Sequence, residues 1–197
     1  MIKLNIEKIK KANTNIIGKQ IEYFKEIDST NIYAQKIANN SKENGKIIIA
    51  EIQTNGIGTK GRIWYTGTGK NIAMTIILKP KCQLKKLEGI TIKIAECIKK
   101  AIYELYNIEL SIKEPNDLIL NNKKICGILT KTSTIGGKIN NLIIGIGLNV
   151  NEENFNKETI EIATSLKKEF KKEFSREDII IKIIEILEKE IKKEIEI

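Results

Sequence analysis

The sequence predicts an α+β fold, in which helices pack on one face of a mixed and mainly antiparallel sheet. Three observations predict it: several short β-branched segments, turn residues between successive segments, and two stretches with apolar residues at helical spacing. The 197 residues, 41% hydrophobic and 30% charged, suffice for the core of one domain and are too apolar for a disordered chain. We therefore expect a single active site.

The amino-terminal half alternates predicted strands with one predicted helix. Residues 1–20 are expected to form a short helix or a linker remnant, and residues 21–197 the main domain. A strand is predicted at Ile21–Ile27, and residues 28–31 are all types that favour helix caps, so a helix is expected from there to about Asn40. Further strands are predicted at residues 46–53, 72–79, 110–113, 118–120, 125–130 and 138–150.

Two longer helices are predicted in the rest of the chain. Apolar residues recur at helical spacing between residues 87 and 105, which predicts one long helix with a buried face. A second helix is expected after Ser175, which with Asp178 has the spacing of a capping box, and its apolar stripe continues to Ile195. The Asn-Asn pair at 121–122 and the Gly-Gly pair at 136–137 predict hairpin turns.

Composition excludes several classes of chemistry. The chain has no His, which removes the usual general base and every Ser-His or Cys-His nucleophile pair. Its cysteines, Cys82, Cys97 and Cys126, are too far apart for a Cys-x-x-Cys metal site and odd in number, which predicts free thiols in a reducing compartment. No segment resembles a signal peptide or a membrane span, so a cytoplasmic protein with no membrane partner is expected.

The net charge of +9 comes almost entirely from lysine. The abundance of Lys, Ile and Asn is typical of a coding bias toward A and T, so the charge by itself does not predict a nucleic-acid surface. We expect no specific nucleic-acid partner.

A glycine-rich segment lies between two predicted strands. Residues 56–61 match the G-x-G-x-x-G pattern of dinucleotide-binding turns, but the last glycine leads to Arg62 and Trp64 instead of a helix. The segment also lacks the Gly-Lys-Ser/Thr end of a P-loop. We expect a long loop at residues 56–69 whose backbone N–H groups, with Lys60 and Arg62, bind an anion. A solvated surface loop is the open alternative.

Four segments occur in the order that is typical of one enzyme family. They are Glu-Ile-Asp-Ser-Thr-Asn at 26–31, Gln-Thr-Asn-Gly-Ile-Gly-Thr-Lys-Gly-Arg-Ile-Trp at 53–64, Lys-Glu-Pro-Asn-Asp-Leu at 113–118 with Lys-Ile-Cys-Gly-Ile-Leu at 124–129, and Ile-Gly-Ile-Gly-Leu-Asn-Val-Asn at 144–151. Ala-Thr-Ser-Leu at 163–166 also matches. On these residues the chain resembles the catalytic domain of a biotin protein ligase. The resemblance implies the fold that biotin and lipoate ligases share with class II aminoacyl-tRNA synthetases.

The resemblance also implies a two-step reaction. Enzymes of this family join biotin to ATP, with Mg²⁺, to form biotinyl-5′-adenylate and pyrophosphate. They then pass the biotinyl group to one lysine of a biotin carboxyl carrier protein domain. Two alternatives stay open: a lipoate or octanoate transferase of the same fold group, and a catalytically degenerate protein that binds biotin. Relatives often pair through their sheets, so a homodimer is open as well.

Individual residues match the motifs of this family. Lys124 matches the catalytic lysine, and Arg62, Asn116 and Asp117 complete the implied catalytic set. The residues that match the biotin site are Ser29, Thr30, Asn31, Gln53, Gly56, Gly127, Leu129 and Gly145. Those that match the ATP and adenylate site are Gly58, Lys60, Gly61, Arg62, Trp64 and Asn149. A plain helix cap at residues 29–31 and a core role for Trp64 are the alternatives. No protein metal-ligand cluster is expected, because Mg²⁺ would arrive on the ATP phosphates.

The chain departs from the family pattern at several positions. Ile57 and Thr59 stand where the family usually has two arginines, and Glu114 replaces an aromatic residue. If the second arginine normally retains the adenylate, this chain would release it early. The small carboxyl-terminal β-barrel domain and the amino-terminal helix-turn-helix of repressor relatives are both expected to be missing. Transcriptional repression is therefore not expected.

Overall fold

A seven-stranded sheet runs through the computed structural model, which describes residues 3–66 and 69–197. The strands are β1 (Ile21–Ile27), β2 (Ile47–Gln53), β3 (Ile72–Leu78), β4 (Ser111–Lys113), β5 (Asp117–Leu120), β6 (Lys123–Ile135) and β7 (Lys138–Leu148). Their order is β1-β2-β3-β7-β6-β5-β4. β1 and β2 are parallel and the other described neighbours are antiparallel, which confirms the predicted mixed, mainly antiparallel sheet.

Five α-helices flank the sheet within the described residues. They are α1 (Ile6–Ile9), α2 (Thr30–Ile37), α3 (Ile90–Tyr106), α4 (Leu166–Phe170) and α5 (Arg176–Ile191). The predicted apolar stripes of α3 and α5 are buried against the sheet and against each other, for example at Ile98 and Ile183. Each such side chain contributes roughly 1.5–3 kcal/mol through burial, so this layer is the main core. Among the described helices, none combines the length and apolar character that a membrane span needs.

The prediction that the helices lie on one face of the sheet is wrong for α2. Ile47 and Ile49 of β2 point into the main core. Ile48, between them, packs on the opposite face with Ala34 and Ala38 of α2. Successive side chains of a strand alternate between faces, so β2, which is apolar at consecutive positions, is covered on both sides. The spacing in α2 showed that one of its faces is buried, but it did not show which side of the sheet it covers.

Both predicted hairpin turns are present. Asn121 and Asn122 have φ of +48° and +63°, and Gly136 and Gly137 have φ of +57° and +78°. Positive φ at both central residues is what a type I′ turn requires. These turns set the register of β5 with β6 and of β6 with β7.

Some predicted boundaries differ from the structure. β6 is longer than the predicted 125–130 segment because it pairs with β7 out to Ile135. Leu87 lies in a 3₁₀ turn before α3, and α5 ends at Ile191, although Ile195 beyond it is still buried. The predicted amino-terminal segment and glycine loop include residues 1–2 and 67–68, which lie outside the described residues.

A buried ion pair ties the last helix to the sheet. Arg176, the first residue of α5, lies 2.6 Å from the carboxylate of Glu51 on β2, and their side chains are 5% and 0% exposed. Glu51 also accepts hydrogen bonds from the backbone N–H of Leu4 at 2.8 Å and from the Tyr23 hydroxyl at 3.0 Å. Burial, together with this carboxylate, raises the pKa of Tyr23 to about 12. The amino-terminal segment, β1, β2 and α5 therefore meet at one charged centre.

We expect Glu51→Gln to lower the free energy of unfolding by about 3–5 kcal/mol, because it removes the charge that compensates a buried guanidinium. Urea denaturation measures this change. The matched control is Lys81→Gln, which breaks the exposed 2.6 Å pair with Glu196 and should cost no more than about 1 kcal/mol. Equal, small losses in both variants would contradict the role given to the Glu51 carboxylate.

Candidate active site

The glycine loop folds back over the middle of β6 and β7. Gly127 and Gly147 pair across these strands, and the indole of Trp64 lies directly on them. A Cβ at Gly147 would lie 2.3 Å from Trp64 Cε2, and one at Gly127 would lie 2.9 Å from Cζ3. Only glycine leaves room for the indole here. The two glycines therefore form a slot in the sheet surface for the one tryptophan of the chain.

The loop is not the start of a nucleotide-binding helix. Its tip, Thr59–Gly61, is a short 3₁₀ turn, and Ile57 and Ile63 on either side form an antiparallel bridge. The backbone N–H of Trp64 donates to the carbonyl of Gly56 at 2.8 Å, which closes the base of the loop. The structure thus confirms the rejection of a dinucleotide-binding turn.

Two cavities meet under this loop. The smaller one, the enclosed pocket, has about 390 Å³ of empty space, part of it continuous with solvent, and is surrounded by α2, the loop and the glycines of β6 and β7. The other is an open cleft of about 1280 Å³ bounded by the loop, β5 and the segment after β7. Both cavities are lined by Gly58, Thr59, Trp64 and Lys124. Lys124 therefore lies at the junction of a smaller cavity and a larger one.

A chain of hydrogen bonds fixes the polar end of the enclosed pocket. Thr75 of β3 donates to the Thr30 hydroxyl at 2.9 Å, and Thr30 donates to Gln53 Oε1 at 2.9 Å. The backbone N–H of Thr30 donates to the same oxygen at 2.9 Å. Gln53 Nε2 donates to the Thr66 hydroxyl at 3.1 Å. Gln53 at the end of β2 is thus held in one orientation by α2, β3 and the loop.

Two buried polar atoms in this pocket lack a protein partner among the described residues. They are Asn31 Oδ1, an acceptor, and Trp64 Nε1, a donor. Asn31 lies against β7, where a Cβ at Gly145 would come within 2.0 Å of its Nδ2. An unsatisfied buried polar group costs about 1–3 kcal/mol. These two atoms are therefore an acceptor and a donor whose bonding the described protein residues do not complete.

The junction of the cavities carries an ion pair. Lys124 Nζ lies 2.7 Å from Asp117 Oδ1 and 5.5 Å from the centroid of the Trp64 ring. Asn116 Nδ2 donates to the same carboxylate oxygen at 3.0 Å and to the carbonyl of Ile128 at 3.3 Å. The Lys124 side chain is 27% exposed and lines both cavities. Asn116 and Asp117 thus aim a fixed carboxylate at this ammonium.

The remaining predicted site residues divide into three groups. Thr30, Asn31, Gln53, Gly58, Gly127, Leu129 and Gly145 line the enclosed pocket, and Arg62 and Asn149 line the open cleft. Ser29, Gly56, Lys60 and Gly61 line neither cavity. Ser29 is fully buried and caps α2 by accepting from the Ile32 N–H, which is the alternative role considered for it. Lys60 and Gly61 are exposed at the loop tip.

The cavity wall includes residues that sequence patterns did not identify. Ala73 lines the pocket because β3 pairs with β2 and β7. Thr75 and Thr66 lie behind the wall and bond Thr30 and Gln53, which line it. The sequence signal for the indole slot is the pair of glycines, Gly145 and Gly147, that interrupts the apolar run of β7. Among the described residues, no group of three or more His, Cys, Asp and Glu side chains is arranged to hold a metal.

Residues 23–149 match the model of the Biotin/lipoate A/B protein ligase family. The chain belongs to this family. The bifunctional ligase/repressor BirA of Bacillus subtilis is 34% identical over 178 residues, which is 89% of this chain and 55% of that protein. The biotin–protein ligase of Homo sapiens is 31% identical over 162 residues, 77% of this chain and 22% of that protein. The chain thus spans about half the length of the bacterial relative.

Solved structures of biotin/lipoate ligases share the fold. A biotin protein ligase from Aquifex aeolicus in complex with biotin and ATP superposes with a TM-score of 0.74 at 28% identity, covering 89% of this chain and 71% of that one. A biotin protein ligase from Leishmania major in complex with biotinyl-5-AMP gives a TM-score of 0.72 at 25% identity, covering 88% and 75%. These matches confirm the fold that the resemblance implied.

The structure places the three residues that differ from the family pattern, Ile57, Thr59 and Glu114. Ile57 lines the enclosed pocket and adds an apolar wall where the family pattern has a cation. Thr59 accepts from Arg62 at 3.4 Å through both its hydroxyl and its carbonyl, so the remaining arginine is held along the loop. Glu114 is exposed and lines neither cavity.

We expect Gly147→Ala to expel the indole of Trp64 from its slot without unfolding the chain, because alanine is tolerated in a strand but its Cβ overlaps the ring. Acrylamide quenching of the single tryptophan should increase. Gly136→Asn, at a left-handed turn position with open space around it, is the matched control and should leave quenching unchanged. Unchanged quenching in Gly147→Ala would mean that the indole does not occupy the slot in solution.

Proposed function

We propose that this chain is the catalytic unit of a biotin protein ligase, which joins biotin to ATP and passes the biotinyl group to a lysine of a carrier domain. The observation that carries the proposal is the meeting of a smaller pocket and a larger cleft at Lys124. Such an arrangement suits the joining of a small acid to a nucleotide. Membership of the biotin/lipoate ligase family supports it.

Biotin fits the chemistry of the enclosed pocket. Its ureido group carries N–H donors and a carbonyl acceptor, and Asn31 Oδ1 and Trp64 Nε1 are an unsatisfied acceptor and donor. The valeryl chain would lie along apolar wall residues such as Ala73 and Leu129. Apolar wall residues combined with a few fixed polar groups are typical of small-molecule sites. The carboxylate end would then reach Lys124.

ATP fits the open cleft. An oxygen of the biotin carboxylate would attack the α-phosphorus as the bond to pyrophosphate breaks, and negative charge would grow on the phosphate oxygens. The ammonium of Lys124 is available to stabilise that charge, with Arg62 at the cleft rim. Closure of the loop would shield the resulting mixed anhydride from water.

Mg²⁺ would accompany ATP into the cleft. The carboxylates of Asp117 and Glu161 line it and offer the hard oxygen ligands that Mg²⁺ takes, with most coordination left to phosphate and water. When bound, the ion would neutralise phosphate charge. This donor set fits a metal that is carried by the nucleotide.

The second step needs an uncharged amine. The amine of the carrier lysine would attack the acyl carbon of the adenylate as the bond to the AMP oxygen breaks. Asp117 is the described carboxylate beside Lys124, and it can take the proton that the amine loses. In this proposal Lys124 therefore serves the first half-reaction and Asp117 the second.

A lipoate or octanoate transferase remains the second candidate, because the family includes such enzymes. Neither lipoate nor octanoate has an N–H in the part that would enter the pocket, so neither could satisfy Asn31 Oδ1. A binding protein without catalysis is the third candidate. It would bind biotin without releasing pyrophosphate. The carrier partner, a homodimer and a cytoplasmic location stay predictions.

We expect Lys124→Met to lower biotin-dependent pyrophosphate release by about a hundredfold or more while the fold is retained, because it removes the cation beside the reacting phosphate. The control is Lys131→Met, on the same strand but exposed and bonded to Gln35, which should keep the wild-type rate. The substrates are biotin, lipoate and octanoate with ATP and Mg²⁺. Pyrophosphate release with lipoate but not biotin, or with none of the three acids, would refute the proposed function.

We expect Asn31→Ala to raise the KM for biotin by about tenfold to a hundredfold with a smaller change in kcat, because it deletes an acceptor that contacts the ureido group and not the reacting carboxylate. Steady-state kinetics measure the two parameters. Asn39→Ala, whose side chain accepts from Asn140 on the surface, is the control. A fall confined to kcat would place Asn31 near the chemistry instead.

A further inference from the structure

The ladder of the sheet holds the backbone of Lys124 on one side only. Lys124 is registered with Ile119 of β5, next to a register shift that skips Ile125, and β7 pairs with β6 only from Cys126 onward. A bulge of this kind re-aims a side chain and also weakens the local pairing. On the side where β7 does not reach, the backbone of Lys124 therefore needs another partner.

A segment after β7 supplies the missing pairing. Lys124 and Ala163 form a parallel bridge. The N–H of Lys124 donates to the carbonyl of Ile162 at 2.8 Å, and the N–H of Thr164 donates to the carbonyl of Lys124 at 2.9 Å. The carbonyl of Thr164 accepts from Asn149 Nδ2 at 3.1 Å. Both backbone groups of Lys124 are thus bonded to residues 162–164.

Glu169 of α4 holds this segment in place. One carboxylate oxygen accepts from the hydroxyl of Thr164, and the other accepts from Asn121 Nδ2 at 2.6 Å. Asn121 belongs to the turn that leads into β6. The carboxylate therefore joins the bridging segment to the turn that precedes Lys124. Burial opposes its charge, but the bonds from Thr164 and Asn121 outweigh this and lower the pKa of Glu169, so it stays ionised near neutral pH.

We propose that Glu169 is a positioning residue for Lys124. It lines neither cavity and acts only through the segment 162–164 and the β5–β6 turn. Its loss frees that segment, and the ammonium of Lys124 moves relative to Asp117 and Trp64. Misplacement of a catalytic group by about 1 Å can cost a hundredfold in rate. The kinetic part of this inference rests on the proposed ligase function, whereas the placement of Lys124 does not.

The test compares Glu169→Ala with Glu169→Gln. Alanine removes both acceptors, whereas glutamine can accept from Asn121 and donate to the Thr164 hydroxyl, so it retains both links. Glu173→Ala is the control, because Glu173 makes only an exposed pair with Lys167 among the described contacts. All variants are assayed well below their unfolding temperatures, with folded fractions measured by circular dichroism.

In biotin-dependent pyrophosphate exchange, Glu169→Ala should lower kcat about tenfold to a hundredfold and leave the KM for biotin within about twofold, because the enclosed pocket is untouched. Glu169→Gln should recover most of the rate, and Glu173→Ala should match the wild type. Tryptophan emission should also change in Glu169→Ala, because Lys124 Nζ lies 5.5 Å from the single indole.

A wild-type kcat and an unchanged emission spectrum in Glu169→Ala would overturn the inference. The inference would also fail if kcat fell equally in Glu169→Ala and Glu169→Gln and the fall matched the loss of folded protein in each variant. If the wild-type chain shows no biotin-dependent exchange, the proposed function fails instead. The emission spectra then decide whether Glu169 places Lys124.

Discussion

The site depends on the absence of side chains at three positions of β6 and β7. Gly127, Gly145 and Gly147 let Trp64 and Asn31 lie directly on the sheet backbone. A methyl group at any of them would overlap one of these side chains by close to an ångström or more, and a packed interior cannot absorb such an overlap without moving the loop or α2. The glycines therefore create the pocket and also fix the groups that line it.

In the proposed function, the two cavities would divide the chemical tasks. The Thr75, Thr30 and Gln53 chain holds the polar end of the enclosed pocket rigid, which would suit recognition of a small uncharged ring. The open cleft is larger and carries charged side chains, and it would give access to a nucleotide and to a carrier lysine. Lys124 lies where the two cavities meet, and the Trp64 indole partly covers it. Its charge is therefore less screened by water than a charge on the open surface would be.

Strand β2 connects the buried ion pair of the core to the candidate site. This strand contains Glu51, which is paired with Arg176 in the interior, and it ends at Gln53, which faces the pocket. The amino-terminal segment and α5 converge on the same carboxylate. The helices of the main core therefore hold β2 from one face of the sheet. On the other face, α2 covers the pocket at the carboxyl end of β2.

Local patterns in the sequence determined the elements and the family. Strand alternation, helical spacing and turn residues were sufficient for β1, α3, α5 and both hairpins, because each depends on neighbours within a few residues. Four motifs in order indicated the ligase family and Lys124. Tertiary structure alone decided the side of the sheet that α2 covers, the withdrawal of Ser29 into a helix cap and the exposure of Lys60. It also brought Thr75, Thr66 and Glu169 to the site. These contacts join residues far apart in the chain, and the register of the whole sheet, which no single segment specifies, sets them.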